Sequence, residues 1–175
     1  MTVGVVNLAF SPNVSLPVQG FGYLIPKHEK SSILGVIFDS DSLPQQSLDG
    51  TLRLTVMMGG YRFESLFGNP DTVDNNTLLQ TAQEAVQSHL GINADPIDSH
   101  VSIHKNCIPQ YVVGHANKMK QLHFLIQGHS TLANRLSLVG ASYTGVGIND
   151  CIYESKKTVD RLRQSSTITG LENFV

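Results

Sequence analysis

The sequence predicts a mixed α/β chain, in which an antiparallel sheet flanked by helices is followed by a strand, a turn and a further helix. Three observations predict it. Two strand-length segments, Ser32 to Asp39 and Leu52 to Met58, are joined by a turn-rich loop ending in Asp49-Gly50, which suits an antiparallel pair. Two stretches, one capped by Asp74 and one starting near Ala116, repeat apolar residues at helical spacing. Finally, Arg135 to Glu154 switches period. A short apolar run, Arg135 to Val139, gives way to Ile148, Cys151, Ile152, Val159 and Leu162 at helical spacing, with Gly140, Gly145 and Gly147 between them.

Taken in order, Thr2 to Phe10 reads as a strand with Val6, Leu8 and Phe10 on one face, broken by Ser11-Pro12-Asn13. LPVQGFGYLIP, Leu16 to Pro26, is too irregular for a plain strand; it reads either as a kinked connection packed on the core or as the lining of a cavity. The continuous apolar run Ile33, Leu34, Val36, Ile37 and Phe38 suggests cover on both faces. Leu52, Leu54, Val56 and Met58 alternate with Arg53, Thr55 and Met57, the pattern of a half-buried strand. Met57 puts a polarizable apolar side chain on the polar face, which marks that face as a candidate pocket wall. Asp74 caps a helix with the stripe Leu78, Leu79, Ala82, Val86 and Leu90, and Gly91 ends it. Val101 and Ile103 begin another strand, which Pro109 ends or bulges. The second helix carries Met119, Leu122, Leu125 and Ile126 on one side and stops near Gly128.

At the switch of period, absent β-carbons permit positive φ and let a ligand approach the main chain. The first turn of the following helix presents unpaired N–H groups and the positive end of its dipole. Asp150 already puts a carboxylate in that field, so a polar ring edge or a ribityl hydroxyl suits the position better than phosphate. Gly145-Val146-Gly147 lacks the third glycine of a dinucleotide fingerprint.

Composition bounds the function. The 175 residues, 41% hydrophobic and 15% charged, are globular in character, and twelve basic against fourteen acidic residues give a net charge of −2 without a basic patch for nucleic acid. No apolar run approaches the ~20 residues of a membrane span, and no charged leader precedes an apolar core at the start. Cys107 and Cys151 have no metal or redox spacing and read as buried, inert thiols. His100 and His104 lack further ligands at a recognised spacing, so no metal site is assigned. Ser142 lacks the second glycine of a nucleophile elbow.

Four segments carry a resemblance: LPVQGFGYLIP, LGVIFDS (Leu34 to Ser40), HKNCIPQYVVGH (His104 to His115) and GASYTGVGINDCI (Gly140 to Ile152). Their order and spacing, from about Val5 to Glu154, resemble oxygen-dependent protoporphyrinogen oxidase of the flavin amine oxidase-like superfamily. The resemblance implies the C-terminal part of such an enzyme, with Met1 at a fragment boundary or gene-model start and the GxGxxG-bearing Rossmann unit outside the chain. It implies an antiparallel substrate sheet with flanking helices plus the last strand and helix of an FAD-binding Rossmann-like domain. Residues 1–128 would belong to the substrate-binding part, 129–165 to the FAD-binding part, and 166–175 to a tail. The family oxidises protoporphyrinogen IX to protoporphyrin IX for haem synthesis, using FAD and oxygen and releasing hydrogen peroxide. Carried over, Ala141, Val146, Gly147 and Ile148 contact FAD, while Phe21, Gly22, Leu24, Met57 and Ile108 line the substrate pocket. The family often has alanine at the position of Gly147. No residue is carried over as catalytic, and the arginine expected to pair with a substrate propionate lies outside the chain. The resemblance further implies peripheral association with the mitochondrial inner membrane, and it leaves open whether the enzyme is a homodimer. A related flavin amine oxidase and a non-catalytic remnant are the alternatives.

Overall fold

The computed structural model describes residues 1–46, 49–164 and 168–175. The chain divides into two compact units, Met1–Cys107 and Ile108–Val175.

The first unit is a five-stranded antiparallel sheet of β1 (Thr2–Phe10), β2 (Gly22–Leu24), β3 (Ile33–Phe38), β4 (Leu52–Gly60) and β5 (Asp98–His104), in the order β2-β3-β4-β1-β5. β1, β3 and β4 arise where the sequence places them, whereas β5 stops at His104, short of Pro109, because the chain turns at Lys105-Asn106, where Asn106 takes φ 51°. The register sets Val6 beside Val56, Leu8 beside Leu54 and Phe10 beside Leu52, with Val36 and Phe38 continuing the Val56 and Leu54 rungs. Paired residues share a face, so one side of the sheet is a continuous apolar surface. Leu78, Ala82 and Val86 of the helix α3 (Asn75–Leu90) cover it and form one buried cluster with these strands. Asp74 accepts the amide N–H of Asn76 and Gly91 closes the helix at φ 69°, the cap pair read from the sequence. Two shorter helices, α1 (Asp39–Ser42) and α2 (Phe63–Phe67), follow β3 and β4, and the buried Phe63 plugs the end of the sheet.

Two expectations change in this unit. LPVQGFGYLIP contains a three-residue edge strand, β2 (Gly22–Leu24), because Gly22 permits a close approach: a Cβ there would lie 2.2 Å from the Val36 carbonyl oxygen. The outer face of β3 is only half covered. Leu34 and Ile37 remain partly exposed there because α3 packs on the opposite side of the sheet.

The second unit holds α4 (His115–Gly128) and α5 (Ile148–Leu162). On α4 the buried residues are Met119, His123 and Ile126, whereas Leu125 is largely exposed. At 100° per residue, His123 falls closer to the Met119–Ile126 line than Leu125 does, so the histidine takes the expected leucine's place. It is satisfied there: Nδ1 lies 2.7 Å from Thr169 Oγ1. Arg135 to Val139 is not a ladder strand, contrary to expectation. Among the described residues it is bonded through Leu138 N–H to Thr169 O at 2.7 Å and through the Ser137 hydroxyl to Ile168 O. The boundary expected at 165/166 lies outside the described residues. Beyond it Leu171 is fully buried, and the Thr169 N–H donates to Glu172 Oε1 at 2.6 Å.

Leu54 is fully buried on β4, a strand paired on both sides. Leu54→Ala should therefore lower stability by about 2–5 kcal/mol, read as a lower denaturant midpoint with unchanged slope. Tyr23 of β2 places its hydroxyl 2.8 Å from His89 Nδ1 of α3, and burial pushes its phenol up to about 12. The folded chain thus keeps a proton that the unfolded chain releases near pH ~10. This contribution is complete below pH ~10 and is lost as pH rises toward ~12. Unfolding titrations across that window should show wild type weakening more steeply than Tyr23→Phe.

Candidate functional site

The turn ahead of α5 is shaped by one side chain. Asp150, in the first helical turn, folds back so that Oδ2 accepts the Gly147 N–H at 3.3 Å. That return path needs room at Gly145, where a Cβ would lie 2.5 Å from Asp150 Cβ, and at Gly147, where it would lie 3.0 Å from Oδ2. Positive φ is used only at Gly140 (124°) among the three glycines. The sequence reading of backbone freedom at all three is thus corrected: Gly145 and Gly147 spare space for the carboxylate. Gly147 would tolerate alanine at the cost of a small displacement of that flexible side chain. The remaining N–H groups of the first turn have no intrahelical partner. Val146 and Ile148 flank Gly147 and are 49% and 79% exposed, while Ala141 is half-buried. Together they make an apolar lip beside a helix N-terminus, which fits a flat ring with an electron-rich edge better than a doubly charged phosphate.

Two side chains missed by the sequence reading hold this turn from behind. Tyr111 Oη donates to Ala141 O at 2.5 Å, and His115 Nε2 donates to Tyr143 O at 2.8 Å. Partial burial, followed by the nearby Cys151 and Asp150, holds the Tyr111 phenol above its ordinary value, so it stays a donor. Both residues lie in the quoted HKNCIPQYVVGH segment, but their partners lie about thirty positions away, and no local period reports such a link.

In the first unit, Leu24, Gly35 and Met57 form one rung across β2, β3 and β4, continued by Val5 on β1. This rung lies on the face away from α3. Leu24 is 77% exposed and lies over Gly35, where a Cβ would be 3.0 Å from Leu24 Cδ2. Met57 is half-buried, and Phe21, 71% exposed, precedes Gly22 of the neighbouring rung. Four of the five expected pocket residues are therefore gathered on or beside one sheet face; Ile108 belongs to the second unit and is partly exposed. The next rung, Gly22–Ile37–Thr55–Asn7, is polar on β4 and β1. Asn7 Nδ2 donates to Thr55 Oγ1 and Thr55 Oγ1 to Asp39 Oδ2, both at 2.7 Å. A pocket of about 300 Å³, lined by Asp39, Arg53, Asp98 and His100 among others, opens at that end.

Other candidates fall elsewhere. His100 and His104 are both exposed on β5, and the described residues contain no group of three or more His, Cys, Asp or Glu able to hold a metal. Cys107 is exposed rather than buried, because it follows the end of β5 in a turn where Asn106 takes φ 51° and the Cys107 N–H donates to Met1 O. Cys151 is half-buried, with Sγ 3.5 Å from Gly145 O.

No family model matches the chain. It is 40% identical over 160 residues to human protoporphyrinogen oxidase, a match covering 90% of this chain and 32% of that protein. To coproporphyrinogen III oxidase of Bacillus subtilis it is 26% identical over 147 residues, covering 84% of this chain and 30% of that protein. A crystal structure from Exiguobacterium, provisionally designated a protoporphyrinogen oxidase, superposes with a TM-score of 0.68 at 20% identity, covering 93% of this chain and 34% of that one. That likeness speaks for the fold, a mixed α/β arrangement around an antiparallel sheet. The chain spans about a third of the length of the curated relatives it matches. Across nearly the whole chain two-fifths of the residues are shared with human protoporphyrinogen oxidase, so the chain is similar to about one third of such a protein.

Proposed function

We propose that the protein to which this sequence belongs oxidises protoporphyrinogen IX to protoporphyrin IX, with FAD as electron acceptor and oxygen as terminal oxidant, releasing hydrogen peroxide. The observation that carries this reading is the 40% identity to human protoporphyrinogen oxidase over 90% of the chain. The similarity to a coproporphyrinogen III oxidase favours a porphyrinogen over an amine as substrate. In this reading residues 1–128 serve the substrate-binding part and 129–165 the FAD-binding part, with 166–175 as the tail.

FAD bound at the turn before α5 would supply the two-electron acceptor for the reaction. Ala141, Val146, Gly147 and Ile148 would hold its ring edge, and the first-turn N–H groups of α5 stabilise negative charge there. Asp150 occupies the Gly147 N–H, which leaves the pyrophosphate to be bound by residues outside this chain. Leu24, Met57 and Phe21 form an apolar shelf for a flat tetrapyrrole, kept level by the missing side chains of Gly22 and Gly35. The Leu24–Gly35–Met57 rung offers no ionisable group, so its task is to orient the substrate and exclude water. Among the described residues no helix is long and apolar enough to cross a membrane. Peripheral attachment to the mitochondrial inner membrane belongs to the same proposal.

The chain alone is expected to be inactive. One helix end contributes at most ~2 kcal/mol, whereas micromolar affinity requires about 8 kcal/mol. The apolar stripe of α5, with Ile148 79% and Ile152 62% exposed, also favours association over solubility. Purified chain should come out colourless. Joined to the other two thirds of human protoporphyrinogen oxidase, it should copurify with flavin and oxidise protoporphyrinogen; flavin binding without that oxidation overturns the substrate assignment. In that chimera, Met57→Lys should raise KM for protoporphyrinogen about tenfold or more while flavin content stays constant, measured by absorbance and initial rates.

A further inference from the structure

We propose that Tyr111 and His115 are a clamp that sets the conformation of the Gly140–Tyr143 turn before any cofactor arrives. The functional half of this inference rests on the flavin reading above; the structural half does not. The two side chains are coupled to each other. Gly114, at φ 91°, turns the chain sharply into α4, and the Tyr111 and His115 rings stack with centroids 4.3 Å apart and planes 16° from parallel. Their donors meet carbonyls only two residues apart, Ala141 O and Tyr143 O. Because the rings are stacked, the spacing of the donors is fixed, and so is the spacing of the carbonyls. Phe174 sets its ring edge-on to His115 at 6.0 Å and tethers the imidazole to the C-terminal segment.

The turn needs this support. Its backbone contributes the 3.1 Å bond from Tyr143 N–H to Gly140 O, and Gly140 has no Cβ to narrow its choices. A glycine-rich turn ordered only on ligand binding would subtract its ordering entropy from affinity. Tyr111 and His115 meet that cost during folding. Since a carbonyl is the acceptor, His115 must carry a proton on Nε2. Both the Nε2–H neutral tautomer and the imidazolium satisfy this, so the clamp does not depend on the charge of His115. Of the ionisable groups beside Tyr111, Asp150 is an acceptor and Cys151 directs its Sγ to Gly145 O at 3.5 Å, so neither competes for the Ala141 carbonyl. Tyr111 and His115 are positioning residues, acting through the backbone of the turn.

Hydrogen exchange of the flavin-free chimera with the human protein, followed by mass spectrometry, tests the structural half. Tyr111→Phe keeps the ring stack and removes the donor; His115→Phe does the same for the second bond, and His115→Gln restores an N–H donor. Exchange of the 141–147 amides is expected to rise about tenfold or more in the two Phe variants and to recover in part with Gln, while α3 amides stay unchanged as an internal control. Unchanged exchange at 141–147 in both Phe variants overturns the clamp. In the chimera with the human protein, Tyr111→Phe should weaken FAD binding about five- to tenfold with KM for protoporphyrinogen held. Faster exchange with unaltered FAD affinity leaves the clamp standing and overturns the flavin assignment of this turn.

Discussion

The first unit depends on the nine-rung ladder between β1 and β4. That ladder fixes which residues share a face, and a slip of one residue would send Val6, Leu8, Leu54 and Val56 to the outside. Each of these fully buried side chains contributes about 1.5–3 kcal/mol. With the register set, α3 has one apolar surface to cover, β3 and β5 have edges to join, and the opposite face is left for other uses. The Leu24–Gly35–Met57 shelf follows from the same constraint. Its residues are outside because their neighbours along the strands are inside.

The second unit divides its burial differently. Its buried residues include Met119, Ile126 and Leu171 but also His123, Thr158 and Thr169. α5 turns Thr158 inward, where Lys157 pairs with Glu154 and Arg161 with Glu172 at 3.5 and 3.4 Å, and leaves Ile148, Ile152, Val159 and Leu162 exposed. An amphipathic helix in a self-contained unit presents the opposite face to its core. Part of the apolar surface of this unit is therefore surplus to its own folding. The His123–Thr169–Glu172 hydrogen bonds hold the C-terminal segment where apolar packing is thin. Burial pushes the Glu172 carboxyl up, but bonds from Thr169 and Gly170 outweigh it and hold the group below its ordinary range.

Asp150 shows how a local rule acquires its meaning from geometry. At the sequence level it is an acidic residue in a first helical turn, favourable to the dipole and unfavourable to a phosphate. In the fold it is also the reason two glycines stand where they do, since its carboxylate fills the volume their side chains would need. The turn presents a helix end with one N–H already taken, flanked by the exposed Val146 and Ile148.

The sequence by itself determined β1, β3, β4, α3 with both its caps, and α5, because each is written in a local period or a capping residue that acts within a few positions. It also carried the family resemblance, and with it the grouping of Leu24 and Met57, through motifs rather than periods. Only the tertiary structure decided the rest. Arg135 to Val139 has strand composition but takes no strand conformation, because strand pairing is decided by a partner distant in sequence. Leu125 has the composition of a core residue and His123 does not, yet helix phase and the Thr169 hydroxyl reverse their places. The Tyr111 and His115 bonds to Ala141 and Tyr143 join segments about thirty residues apart. Such pairings depend on how distant elements pack, and no local pattern encodes that.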